Sequence, residues 1–196
     1  MGKSLHGFRY GTKEIIATLL GTALFVLAEW FERYLIGIGM IPAFTYEWVQ
    51  FRVPVVTLVA ILFGPFSGMI CGLGADLIIN SIFEPAISYP EVIVFGVYGF
   101  MMGIFHSREH GRSEQFTSRQ FLDLNALQIG SGIFCSMFVL PFANFMIYDA
   151  NIYDTVTIGA KSAAGNSLLT GVICSVIMAI RSVIHQTKSG KAEVRA

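Results

Sequence analysis

Six stretches of this chain are apolar for long enough, or nearly long enough, to cross a lipid bilayer, at about 14–34, 53–63, 66–83, 92–105, 124–148 and 158–184. A span takes roughly 20 mainly apolar residues. Inside lipid the backbone must satisfy its own polar groups, so these spans are read as helices. Only 13% of the residues are charged, against about 25% in a soluble domain. Too few charges are present to cover a water-facing surface. The expected fold is an all-α integral membrane protein, a compact bundle of six transmembrane helices forming one domain over residues 1–196. The first apolar run lacks an obvious cleavage site and reads as a retained span, not a signal peptide.

The formal net charge is zero, but its distribution is uneven. Lys3, Arg9, Lys13, Arg108, Arg112, Arg119, Arg181, Lys188, Lys191 and Arg195 fall on one side of the predicted topology, ten of the thirteen basic residues. Both termini are therefore expected in the cytoplasm. The opposite side carries Glu29, Glu32, Glu47, Glu84, Glu91, Asp149 and Asp154. It also carries the aromatics Trp30, Tyr34, Tyr46, Trp48, Tyr89, Tyr148 and Tyr153, which fit an interfacial belt. No basic stripe interleaved with aromatics is present, so nucleic acid is not an expected partner.

Catalytic readings find little support. The chain has no G-x-x-x-x-G-K-[ST] phosphate loop. His6, His106, His110 and His185 all lie outside the apolar segments, which leaves no Ser/His/Asp arrangement at membrane depth. Cys71, Cys135 and Cys174 sit singly in apolar runs and read as small buried hydrophobes. Neither a metal nor another cofactor is expected.

Small residues recur at helical spacing. Ala17 and Gly21 lie one turn apart in the first span; Gly64, Gly68 and Gly72 make a stripe into the third. Such patterns let helices approach closely, either within the bundle or against a partner protein. Asp76 is an ionisable group deep in an apolar segment, with Asn80 one turn on. A buried carboxylate must be paired, protonated or open to a cavity, so a ligand contact and a helix-to-helix bond both remain open. Arg52, Tyr98, Asn144, Tyr148, Lys161 and Asn166 are further polar residues at a similar depth on different helices. That convergence is what a small-molecule pocket requires.

The Ala17–Gly21 face, the glycine-rich run from Leu62 to Asp76, and the pair of segments Met146–Asp149 and Gly159–Asn166 together resemble the substrate-binding S components of energy-coupling factor (ECF) vitamin transporters, riboflavin-type or pantothenate-type branch. The likeness runs from about residue 12 to 186. One departure is Gly21, where the family's docking motif has alanine. The resemblance implies a multi-pass protein of a bacterial plasma membrane that binds a vitamin or precursor from outside. It implies docking onto an ECF transmembrane coupling subunit driven by two ABC ATPase subunits, so ATP hydrolysis lies outside this chain. It makes Ala17 and Gly21 expected docking residues; the spacing of Gly64, Gly68 and Gly72 adds them as a candidate docking stripe. The expected substrate contacts are Arg52, Asp76, Asn80, Tyr98, Asn144, Tyr148, Lys161 and Asn166. Arg52 and Lys161 would suit a carboxylate, which puts pantothenate first, hydroxymethylpyrimidine or pyridoxine next, then riboflavin or cobalamin. The competing readings are a membrane scaffold with no small ligand and an intramembrane enzyme built on Asp76.

Overall fold

The chain reverses direction at Gly64 in a single residue. Its φ of 97° is a conformation that favours glycine, and Pro65 opens the next helix, where its missing N–H leaves no intrahelical bond unmade. This computed structural model describes residues 11–43, 48–109 and 117–193, without the side chains of 107–109 and 185–193. Lys3, Arg9, Tyr46, Glu47, Arg112 and Arg195, used above to orient the chain, lie outside the described residues.

The helices are α1 (Thr12–Gly37), α2 (Arg52–Phe63), α3 (Pro65–Phe83), α4 (Tyr89–Glu109), α5 (Ser118–Phe134), α6 (Leu140–Tyr148) and α7 (Ile152–Glu193). A π-helical turn at Cys135–Val139 joins α5 to α6 as one rod. Pro141 has no N–H to give the turn before it, and a wider turn there absorbs the mismatch. Among the described residues, five segments are long and apolar enough to cross a membrane: Thr12–Gly37, Pro65–Phe83, Tyr89–His106, Ser118–Tyr148 and Ile152–Ile184. The sixth expected span corresponds to the shorter apolar helix α2. With 12 residues, α2 is only about 18 Å long, against a hydrocarbon core of about 30 Å. Most of α2 is buried, and that is why it is apolar on every side.

Contacts between neighbours set an alternating register. Ala60 meets Gly68 across the α2–α3 reversal, and Arg52 meets Asp76 further up. Between α3 and α4, Gly68 faces Gly99 and Gly72 faces Phe95. A Cβ on Gly68 would lie 2.5 Å from both the Ala60 Cβ and the Gly99 carbonyl oxygen, so no larger residue fits without moving a helix. Gly21 is pressed against Val59 and Cys71. The glycines therefore serve close approach inside the bundle. Gly21, Gly68 and Gly72, three of the expected docking residues, are buried against neighbouring helices of the chain itself. Gly64 is the reversal itself, and only Ala17 among the expected docking residues is partly open. Large apolar side chains such as Leu19, Leu24, Phe142, Leu168 and Val172 point outward, as lipid-facing residues do.

A candidate solute-binding site

Arg52 begins α2 and is 2% exposed, among the most deeply buried large side chains of the described residues. Its guanidinium is held on three sides. Nη1 donates to Asp76 Oδ1 on α3 at 2.7 Å, Nε lies 3.5 Å from Glu29 Oε2 on α1, and Nη2 lies 3.6 Å from Glu91 Oε2 on α4. The group also stacks over the Phe95 ring, 4.6 Å from its centroid. Arg33 extends the network by pairing with both Glu29 and Glu84 at 2.6 Å. Asn80 donates to Asp76 and accepts from the Ser88 backbone N–H at 2.9 Å, which pins the link between α3 and α4. Of the two roles open to Asp76, the structure supplies the helix-to-helix one: its carboxylate is compensated by Arg52 and Asn80.

Beside this network lies a cavity of about 220 Å³ among α2, α4, α5, the π turn and α7. It occupies the end of the bundle away from Thr12 and from the C-terminal part of α7. Val53, Val94, Phe95, Leu140 and Ile158 give it apolar walls; Gln50, Tyr98, Gln128, Ser136, Ser162, Asn166 and Ser167 add amides and hydroxyls. Among the described residues, Glu91 is the single charged one in the wall. The polar groups are held in place. Thr57 donates its proton to the Val53 carbonyl at 2.9 Å, so the Tyr98 hydroxyl, 3.0 Å from Thr57 Oγ1, is the donor of that pair. Asn166 Oδ1 accepts from the Gln50 backbone N–H at 2.7 Å, and Asn166 Nδ2 donates to Ser162 Oγ. Gln128 Nε2 donates to the Ser167 carbonyl at 2.8 Å. Gly165 lets the backbone at Trp48 lie directly on α7, which brings Gln50 to the cavity.

Of the expected substrate residues, the structure brings Tyr98 and Asn166 into the cavity wall and sets Arg52, Asp76 and Asn80 behind it. Lys161 is exposed and outside the wall. Asn144 returns its amide to the Leu140 carbonyl, and Tyr148 donates to the Ile87 carbonyl, 3.0 Å away at the exposed rim. Glu91, Gln128, Ser136 and Ser162 are not among the expected contacts. Gln128 and Ser136 are two of several polar residues in the fifth span, beside Asn125, Ser131 and Asn144, so the sequence alone does not single them out. Among the described residues, no group of three His, Cys, Asp or Glu is placed to hold a metal ion.

Comparison with known proteins places this architecture. A family model described as "ECF-type riboflavin transporter, S component" matches residues 9–183. A UPF0397 protein of Streptococcus gordonii is 24% identical over 96% of this chain and 97% of its own length. One from Lactococcus lactis subsp. cremoris is 25% identical over 91% and 94%, and one from Staphylococcus aureus is 25% identical over 85% and 87%. No solved structure matches. The chain, a helical bundle with a glycine-packed hairpin and a partly open, mainly apolar cavity, thus belongs to the family of ECF-type riboflavin transporter S components.

Proposed function

We propose that this chain captures a small, uncharged or weakly basic vitamin-type solute for an ECF importer, in which a coupling subunit and two ABC ATPases supply the energy. The observation that carries this reading is the cavity beside Arg52, walled by apolar side chains and fixed neutral amides and hydroxyls. Enclosed sites with a few convergent polar groups are how proteins hold small solutes. Lys13, Arg119 and Arg181 sit toward the other end of the helices, which supports a cavity opening on the outer side. Docking onto the coupling subunit would use Ala17 and the lipid-facing side of α1.

The wall argues about the solute. Among the described residues, no lysine, arginine or histidine lines the cavity. Arg52 is already engaged by carboxylates, and Lys161 stands outside. A desolvated carboxylate needs a partner, so pantothenate yields first place to hydroxymethylpyrimidine, pyridoxine or riboflavin. The experiment is direct. The chain is purified in mild detergent and denatured, and the released solute is identified by mass spectrometry. Calorimetric titration follows with pantothenate, pyridoxine, hydroxymethylpyrimidine, riboflavin and cobalamin. One-to-one nanomolar binding of one of them is expected. A folded sample that binds none would turn the reading toward a scaffold.

A further inference from the structure

We propose that Glu91 selects the solute, and that the solute class is a nitrogen heterocycle bearing an exocyclic amine or a protonated ring nitrogen. This rests on the reading of the chain as a solute-binding subunit. Glu91 lies in the first turn of α4 and is, among the described residues, the single charged one in the cavity wall. Its side chain is 47% exposed, whereas those of Asp76 and Glu29 are fully buried. The three carboxylates around Arg52 are thus not equivalent.

Arg52 makes its shorter contacts to the other two carboxylates. Its short bond goes to Asp76 at 2.7 Å, and Glu29 lies on a second edge. The 3.6 Å separation from Glu91 Oε2 exceeds a hydrogen bond. Of the carboxylates of Glu29, Glu32, Asp76, Glu84 and Glu91 gathered around Arg33 and Arg52, Glu91 is the one that reaches the cavity. An ionised carboxylate accepts hydrogen bonds and donates none. A group that donates N–H, better still one carrying positive charge, satisfies it; a ligand carboxylate is repelled.

Arg52 then acts as a positioning residue. It holds Glu91 from behind and lies over the ring of Phe95, one turn along α4 and also in the wall. The neutral amides of Gln128 and Asn166 complete a surface that can hydrogen-bond the rest of a heterocycle.

The test titrates the full-length chain in detergent, wild type and Glu91→Gln, with hydroxymethylpyrimidine (an aminopyrimidine), riboflavin (neutral) and pantothenate (a carboxylate). Wild type is expected to bind the aminopyrimidine most tightly and pantothenate least. Glu91→Gln keeps the side chain's shape and removes the charge. It is expected to weaken the aminopyrimidine about 10- to 100-fold, the range for a charge-assisted bond, and to narrow the gap to pantothenate. Equal or tighter aminopyrimidine binding by a folded Glu91→Gln protein overturns the proposal. The wild-type order tests it without any variant. If riboflavin or pantothenate binds and the aminopyrimidine does not, the selectivity assignment falls while the solute-binding reading stands. If nothing binds, both fall.

Discussion

Arg52 on α2 and Asp76 on α3 meet at 2.7 Å, with side chains 2% and 0% exposed, twelve residues either side of the reversal at Gly64. The pair fixes the register of the two helices at the end where the cavity lies. Removing one partner strands the other without solvent. Arg52→Met leaves Asp76 without its cation and takes one of its cations from Glu29. It is expected to cost about 3–5 kcal/mol. Thermal unfolding in detergent reads this as a large fall in Tm. The double variant Arg52→Met/Asp76→Leu should recover part of the loss, since an apolar pair avoids the stranded charge. A double that is worse than the sum of the singles would refute the pairing.

The α3–α4 seam should be intolerant of side chains. Gly72 faces the Phe95 carbonyl and Gly68 faces that of Gly99. Gly72→Val therefore has to push α4 away, at a cost of about 1–3 kcal/mol or more. Because Phe95 also walls the cavity, the same change should weaken solute binding even in protein that remains folded. Gel filtration together with calorimetry separates the two effects. Gly74, whose Cβ position meets nothing within 4 Å, serves as the control, and Gly74→Ala should be near neutral.

Gly21→Leu tests whether the α1 motif works inside or outside the bundle. With Val59 and Cys71 against Gly21, leucine there should lower the Tm of the isolated chain in detergent. A variant of unchanged stability that no longer assembles with a coupling subunit would instead support a docking role.

Asn166 and Lys161 sit on the same helix and should behave oppositely. Asn166→Ala removes a cavity group and the acceptor for the Gln50 N–H. A 2- to 12-fold loss of solute affinity is expected, corresponding to about 0.5–1.5 kcal/mol for one hydrogen bond. Lys161→Ala, on the exposed side, should bind as the wild type does. Calorimetry on both proteins decides, and a reversed order would move the site.

Much of this architecture is legible in the amino-acid sequence. Low charge and apolar runs lead to a helical bundle, and Gly64–Pro65 to a tight reversal, because each rests on local chemistry. Helix ends are less so. Hydropathy places the fourth segment at 92–105, whereas α4 runs Tyr89–Glu109, since its polar first turn still makes helical bonds. Hydropathy does not show the π turn either, though Pro141 within an apolar run marks the place. Asp76 stands out as needing a partner, but the choice of Arg52 depends on the α2–α3 register, a property of two helices together. Glu91 reads as an outer-surface residue because it stands just before the fourth apolar stretch. Only the packing of α4 against α2 shows that it also borders a cavity.

The shortness of α2 has an architectural result. Counting outward from Gly64, α2 ends at Arg52 while α3 continues seven residues past Asp76 to Phe83, about 10 Å of further rise. Because α2 stops early, the turn before it brings Gln50 beside Val53 into the wall of the cavity. Four residues inserted ahead of Arg52, adding one turn, should plug that cavity.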